Sequence, residues 1–294
     1  SIVIDAEAQR SLCVVLDKNS LGGIWDAFIR LKLKICSAEM KDIASKFYSS
    51  DAAKVLFQPE PGCSDLTYIG STADVSTLVN TALNVAIERL TDVPIGIAFK
   101  NHRGKGSGKF NIFHLSKMRE AIMEGYKVRI DESVFKESSA WVKQNTRLHS
   151  RNHETGGLLW GLWDDAVQVI WVFDVSGPPQ DSIHDPGHFV CGVMGTVEEH
   201  NRRMKQSFGS CGFVGFWHTH PNMPSRQSGI DIAGMTKLVA SVGDNQRRSL
   251  MFIYGRNYSS PTLGVYVYEN NLHDEHMDFI SIGEAQMQLR VPVV

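Results

Sequence analysis

The segment "CGFVGFWHTHPNMPSRQSGID", Cys211–Asp231, constrains the fold more than any other part of the chain. Its first half is rich in aromatic and branched residues, which is typical of a strand, and Pro221 and Pro224 then break that strand into a loop. His218 and His220 are two residues apart, so in a strand they point to the same side, roughly 7 Å apart at the backbone. The segment therefore predicts a strand, a loop and a helix that bring polar side chains together.

Two imidazoles at this spacing can bind one zinc ion at about 2.0–2.1 Å each. Asp231 lies on the apolar face of the predicted helix, where a carboxylate is costly without a cationic partner. Ser228 precedes Asp231 by three residues, which is also the spacing of an ordinary helix N-cap. His218, His220 and Asp231 together have the composition of a three-ligand zinc site with an open position. Cys211 is an odd number of residues from both histidines, so a regular strand would turn its thiol away from them.

A zinc site that hydrolyses an amide also needs a general base, and Glu154 is the candidate. It comes directly before the predicted strand "TGGLLWG". An acidic residue at a strand start is usually solvated. The glycine pair beside Glu154 nevertheless allows another backbone or a substrate to approach closely.

The composition excludes several classes of function. A net charge of −2 argues against a protein that chiefly binds nucleic acid. No apolar run reaches the ~20 residues needed to span a bilayer. Five widely spaced cysteines without a CxxC pair indicate reduced thiols and a cytoplasmic location. The chain begins at Ser1 rather than Met, which we interpret as a processed product or a fragment.

The pattern of elements predicts two regions with a boundary near residue 122. Residues 1–122 contain two predicted strands, "SLCVVLD" and "IGIAFK", and an amphipathic helix over Ala73–Leu90 that Asp74 could cap. Residues 123–294 are dominated by predicted strands with helices between them. These include a helix capped by Asp131 and a helix that starts at Thr196, where Thr196 and Glu199 have capping-box spacing. The expected fold class is α/β throughout.

The combination of "HETGGLLWG" and "HTHPNMPSRQSGID" resembles the JAMM (JAB, or MPN-plus) zinc metalloprotease family, over about Lys127 to Glu269. The family pattern is a glutamate, then His–x–His, seven residues, a serine, two residues and an aspartate, and every element is present. The resemblance implies a JAMM-type mixed sheet with flanking helices. It also implies that His218, His220 and Asp231 bind Zn²⁺, that Glu154 is the general base, and that Ser228 stabilises the oxyanion.

Three further histidines and one long loop lie in the same half of the chain. His153, His184 and His188 could support the site or bind an added metal, although loop histidines are more often solvent-exposed. In the resembled family, insertions near "SGPPQDSIHDPGHF" shape the substrate groove. We therefore expect this loop to form one wall of the groove.

The first region distantly resembles the C-terminal stretch of bacterial ThiF-type adenylating enzymes, which are ubiquitin-activating-like, through "EPGCSDLTYIGSTADVSTLVNTALNVAI". Some of those enzymes are fused to JAMM domains, so residues 1–122 could be a remnant of such a domain. Cys63 is a candidate thioester cysteine, although an ordinary exposed or packed thiol is the more common case. No GxGxxG-type nucleotide loop is present, so we do not expect this chain alone to adenylate.

The resemblance implies a zinc-dependent isopeptidase or peptidase that acts at the C-terminus of a ubiquitin-like protein, in deconjugation or precursor processing. Activating- or conjugating-enzyme-like proteins would be further partners, and neither nucleic acid nor a membrane is expected as a partner. Two alternatives stay open. One is a zinc amidase of short peptides or small molecules, and the other is a scaffold of the MPN type without catalysis.

Overall fold

The computed structural model describes residues 1–4, 10–18, 20–37, 72–100, 109–123, 125–207, 209–241, 248–257, 260–274 and 277–294. Their chain forms two compact units. The first comprises Ser1–Met118 with Arg202–Cys211, and the second comprises Arg119–Asn201 with Gly212–Val294. Cys63 lies outside the described residues, as do residues 60–71 of the segment that resembles ThiF-type enzymes, so both interpretations remain predictions.

The first unit contains an antiparallel sheet in the strand order β1-β2-β3-β4. Its elements are β1 Ile2–Ile4, β2 Arg10–Val15, α1 Ile24–Ser37, α2 Thr72–Glu88, β3 Ile95–Lys100 and β4 Lys109–His114. The alternation of side chains along β2 places Leu12 and Val14 against α1, while Cys13 packs against α2. Within the described residues, the sheet therefore has one helix on each face.

Helix α2 differs from its sequence prediction in two respects. It begins at Thr72, so Asp74 lies inside the first turn rather than at the cap. The helix buries Leu78, Ala82, Val85 and Ala86. Three residues of the predicted apolar face, Leu83, Ile87 and Leu90, are exposed. The sheet therefore covers only part of the apolar face of α2.

The second unit is built on a mixed sheet in the order β14-β13-β12-β11-β7-β8-β6-β5. Its strands are β5 Met118–Met123, β6 Tyr126–Asp131, β7 Gly156–Asp164, β8 Val169–Val175, β11 Gly212–Thr219, β12 Arg248–Asn257, β13 Ser260–Asp274 and β14 Met277–Gln288. A separate hairpin pairs β9 Ile183–His184 with β10 Phe189–Val190. The helices are α3 Glu132–Leu148 and α5 Gly229–Ser241, together with the first residues of α4 Thr196–Gln206, whose residues from Arg202 onwards belong to the first unit.

The sheet of the second unit has a hydrophobic core on both faces. Helix α3 packs through Val134 and Val142 against a cluster that includes Trp217 and Leu250. Helix α5 packs through Met235 and Val239 against a second cluster. The parallel pair β11–β12 lies at the centre, and β7 borders β11 on its other side. This arrangement places the end of β11 between the two helices that flank the sheet.

The capping predictions for the two helices of this half had different outcomes. Asp131 caps α3, because its carboxylate accepts a hydrogen bond from the Ser133 N–H at 2.9 Å. Thr196 and Glu199 do not form the expected capping box. The Thr196 hydroxyl instead donates to the carbonyl of Val193, and the Glu199 N–H donates to the carbonyl of Gly195. Spacing alone did not show which acceptor the threonine would find.

Strand β11 is irregular near its start. Phe213 pairs with Trp160 of β7, and Gly215 pairs with the next residue, Leu159, so Val214 is an extra residue in a β-bulge. As a result Val214 and Trp217, three residues apart, both pack in the core cluster on the α3 side. From Gly215 to His218, β11 pairs without irregularity with both β7 and β12.

Candidate metal centre

The end of β11 brings the two histidines together. His218 pairs with Gly156 of β7 and with Ile253 of β12, which fixes its backbone on both sides. His218 and His220 are both buried, and their Nε2 atoms lie 3.2 Å apart. Gly156 makes the pairing possible, because a Cβ at that position would lie 2.2 Å from the carbonyl oxygen of Trp217. The glycine thus admits the backbone of β11.

The imidazole of His220 has a defined orientation. Its Nδ1 lies 3.1 Å from the carbonyl oxygen of Pro224. Because a carbonyl can only accept, Nδ1 carries a hydrogen, and Nε2 is the nitrogen that faces the cluster. Metal-ligating histidines are commonly held in this way, by a carbonyl at the nitrogen that does not bind the metal.

Asp231 combines two roles that the sequence offered as alternatives. In the first turn of α5 its carboxylate accepts a hydrogen bond from the Ser228 N–H at 2.6 Å, and its own N–H donates to Ser228 Oγ at 3.2 Å. This is a capping box. The same carboxylate lies 3.2 Å from Nε2 of His218 and 3.6 Å from Nε2 of His220. The cap therefore aims Asp231 at the two histidines.

The charges around the cluster favour a cation. Burial opposes ionisation of Asp231, but hydrogen bonds from His218 and His220 hold its pKa well below the usual range. Burial likewise opposes protonation of His220, yet the Asp231 carboxylate and the Pro224 carbonyl raise its pKa. Both shifts favour an ionised Asp231 carboxylate next to positive charge on the facing imidazoles.

The donor separations fit a tetrahedral zinc ion. Ligand atoms bound at about 2.0–2.1 Å lie about 3.3–3.4 Å from one another in a tetrahedron. Nε2 of His218 lies 3.2 Å from Nε2 of His220 and 3.2 Å from Oδ1 of Asp231, and Nε2 of His220 lies 3.6 Å from Oδ2 of Asp231. Among the described residues, Glu154, His218 and His220 also form a group whose donor atoms lie within 4.8 Å of one another. Glu154 is more distant, at 4.0 Å from Nε2 of His220, than the Asp231 carboxylate is from either histidine.

Glu154 lies beside the histidines in a buried position, with 3% of its surface exposed. Burial raises its pKa to about 7; His220 opposes this rise and Asp231 adds to it. A carboxylate with this pKa can both take up and release a proton near neutral pH. Glu154 precedes β7 by two residues, and its backbone is held by the β9–β10 hairpin.

The structure separates the other histidines that the sequence singled out. The Nδ1 of His184 lies 3.1 Å from the Glu154 carbonyl oxygen. His153 packs 6.3 Å from the ring of His149, and its Nδ1 is buried without a partner among the described residues. His188 is exposed and pairs with Asp185. These three histidines do not meet in a metal-binding group within the described part of the chain.

The bulge at Val214 reverses the alternation of side chains before it, so the predicted orientation of Cys211, which required a regular strand, does not hold. Phe213 instead packs against Phe216, at 5.0 Å between ring centroids, so the residues before the bulge share a face with the histidines. Cys211 itself precedes β11, which begins at Gly212, so strand parity does not determine where its thiol points.

Sequence reasoning missed the contacts that hold the loop between His220 and Ser228. Ser225 is buried, its Oγ lies 2.8 Å from Thr262 Oγ1, and its carbonyl accepts a hydrogen bond from the Tyr266 hydroxyl at 2.9 Å. Gln286 of β14 then donates to Tyr266 at 2.9 Å. These partners come from strands 37 to 61 residues away, and no local pattern identifies them.

The fold and the cluster define an α/β domain with an acidic residue and a His–x–His–Asp set at the end of a central strand. Residues 123–242 match the family described as "JAB1/Mov34/MPN/PAD-1 ubiquitin protease". A protein named "CD-NTase/cGAS isopeptidase" from Enterobacter hormaechei subsp. hoffmannii (strain UCI 50) is 29% identical over 103 residues. The match covers 35% of this chain and 56% of that relative.

None of the helices in the described ranges combines the length and the apolar character that crossing a bilayer requires.

Proposed function

We propose that this chain is a zinc-dependent isopeptidase that hydrolyses the amide at the C-terminus of a ubiquitin-like modifier, either in a conjugate or in a precursor. The observation that carries the proposal is the geometry of His218, His220 and Asp231, whose donor separations match a tetrahedral zinc site with Glu154 buried beside it. The family match and the isopeptidase relative support the same reaction class.

In this proposal His218, His220 and Asp231 hold the zinc ion. Zinc in such a site is a Lewis acid that lowers the pKa of water and polarises a carbonyl. Glu154 takes the proton of the attacking water as its oxygen bonds to the amide carbon. When the carbon–nitrogen bond breaks, the same carboxyl group returns that proton to the leaving amine. The pKa of about 7 suits both halves of this transfer.

Ser228 can act in the reaction without giving up its cap. Its Oγ accepts the N–H of Asp231 through a lone pair, which leaves the hydroxyl hydrogen free to donate. Ser228 is exposed, so this hydrogen can reach a substrate. A hydrogen bond to the developing oxyanion at this position would lower the barrier by a few kcal/mol.

The surfaces next to the cluster suit a protein substrate. The loop Val175–Phe189 contacts the backbone of Glu154, and the loop 222–227 leads from His220 to Ser228. Both sides carry exposed apolar side chains near these loops: Ile183, Val190, Val193, Met194 and Val197 on one side, and Met223 and Ile230 on the other. Such a surface can bind a folded modifier whose flexible tail extends to the cluster as a strand.

We place the enzyme in the cytoplasm. Among the described cysteines, Cys13, Cys191 and Cys211 are free of disulfides. Reduced thiols are typical of proteins in that compartment.

The test compares an intact ubiquitin-like conjugate with its isolated tail peptide, side by side at equal and low concentration. Binding to remote surfaces should make kcat/KM at least ~100-fold higher for the intact conjugate, which corresponds to about 2.7 kcal/mol of transition-state binding. Equal rates would reject the isopeptidase and favour an amidase of short peptides. A protein that binds no zinc and cleaves neither substrate would instead be a scaffold.

A further inference from the structure

The backbone of Glu154 is held from two sides by different parts of the second unit. On one side the hairpin β9–β10 contacts Glu154 itself: the Glu154 N–H donates to the Asp185 carbonyl at 2.9 Å, and its carbonyl lies 3.1 Å from Nδ1 of His184. On the other side Thr155 is joined to β11, because its N–H donates to Thr219 Oγ1 at 3.0 Å and its carbonyl accepts the Thr219 N–H at 2.9 Å.

The His184 ring has little freedom to leave this position. It stacks on His149, with ring centroids 4.5 Å apart and planes inclined by 21°. The ring of Phe189, its partner across the hairpin, lies 5.3 Å away. Because the Glu154 carbonyl can only accept, Nδ1 of His184 carries the hydrogen. Burial lowers the pKa of His184, which is consistent with a neutral ring.

We propose that His184 is a positioning residue for Glu154: its Nδ1–H holds the Glu154 carbonyl and thereby sets where the Glu154 carboxylate meets the substrate. The inference rests on the proposed function, in which Glu154 is the general base. His218 is placed by β7 and β12 and His220 by Pro224, so neither depends on His184. Loss of the His184 contact should therefore disturb proton transfer and leave the metal ligands in place.

Three substitutions separate the hydrogen bond from the volume of the ring. His184→Leu keeps an apolar side chain without a donor. His184→Asn keeps a donor at the δ position, the same number of bonds from Cα as Nδ1, whereas His184→Gln moves the donor one bond further out. His200→Leu is the matched control, because Nδ1 of His200 also hydrogen-bonds to backbone, at 3.1 Å from the N of Phe213, away from Glu154.

The experiment measures kcat and KM on a ubiquitin-like conjugate, zinc content, and residue-resolved amide exchange by NMR. We expect His184→Leu to lower kcat roughly 10- to 100-fold, since small misplacements of a catalytic group cost this much. KM should stay within about twofold and zinc at about one per chain. The Glu154 amide should exchange faster while the Thr155 amide does not. His184→Asn should recover most of the lost rate, whereas His184→Gln, with its donor one bond further out, should not. His200→Leu should keep the wild-type kcat, which would show that a general loss of stability does not explain the effect.

The outcomes distinguish this inference from the proposed function. Unchanged kcat and unchanged Glu154 exchange in His184→Leu would overturn the positioning role, as would equal rates for His184→Asn and His184→Gln. If His184→Leu does not fold, the Asn and Gln pair still decides the question. If the wild-type protein cleaves no conjugate, the proposed function fails, and amide exchange at Glu154 decides whether His184 holds it.

Discussion

Ser228 and Asp231 exchange two hydrogen bonds across the first turn of α5, through the Ser228 N–H at 2.6 Å and the Ser228 Oγ at 3.2 Å. The carboxylate that accepts the first of these also faces the histidines of β11. The same two residues therefore cap the helix and place the candidate ligand. A change at either residue should affect both the stability of the protein and the geometry of the cluster.

The first prediction concerns the metal. Purified protein should contain about one zinc per chain by elemental analysis, and His218→Ala should lose it, because one of three ligands is removed. Chelation should also lower the melting temperature, since zinc at about 100 times its Kd adds about 2.7 kcal/mol to the free energy of unfolding. Full zinc retention in a His218→Ala/His220→Ala double variant would contradict the assignment.

The second prediction concerns the base. Glu154→Gln keeps the shape of the side chain but cannot accept a proton. It should therefore keep zinc and lose turnover by about 10²- to 10⁴-fold. Circular dichroism and zinc content check that fold and metal are unchanged. Wild-type turnover in this variant would show that another group takes the proton.

The third prediction concerns Ser228. Ser228→Ala removes a helix cap and an oxyanion donor, so we expect a loss of about 1 kcal/mol of stability and a roughly 10²-fold lower kcat with zinc retained. Asp131→Ala is the control, because it removes a cap of the same kind from α3. The control should melt at a similarly lowered temperature and keep its rate. A rate that falls equally in both variants would assign the effect to stability alone.

The fourth prediction concerns the loop that leads from His220 to Ser228. A Cβ at Gly264 would lie 2.1 Å from the Ser225 carbonyl oxygen, so Gly264→Ala should push the loop outwards and cost about 1–3 kcal/mol of stability. Zinc affinity should fall as well, because Pro224 orients His220. Gly234→Ala, in open space on α5, should instead stabilise the protein by about 0.5–1 kcal/mol. Thermal melts and zinc titration of both variants provide the comparison.

Local patterns were sufficient wherever one element carries the information. The alternation in β11 put His218 and His220 on one side, and the structure brings them to 3.2 Å. The Asp131 cap of α3 and the mixed α/β character of the chain are confirmed. The spacing of Ser228 and Asp231 predicted a helix cap, and the two residues form one. The cost of placing a carboxylate on an apolar face also predicted that Asp231 would lie next to the histidines.

Contacts between distant segments could not be predicted in this way. Which apolar residues of α2 are buried depends on how far the sheet extends beneath the helix. Leu78 and Leu83 both belong to the predicted apolar face, but Leu78 is buried and Leu83 is exposed. The hold of His184 on Glu154 joins residues 30 positions apart, and Tyr266 reaches Ser225 across 41. Each of these contacts needs the sheet order, which the strand pattern alone does not fix.

The bulge at Val214 also determines where the chain can change length. Because Phe213 and Gly215 already oppose consecutive residues of β7, deleting Val214 would remove a residue without shifting either flank, at the cost of a gap in the core beside α3. A deletion between Gly215 and His218 would instead turn both imidazoles to the opposite face of the sheet. The chain can therefore lose a residue at the bulge and keep the register of β11. Between the bulge and the histidines, the length of the chain is fixed by the need to keep both imidazoles on the same face of the sheet.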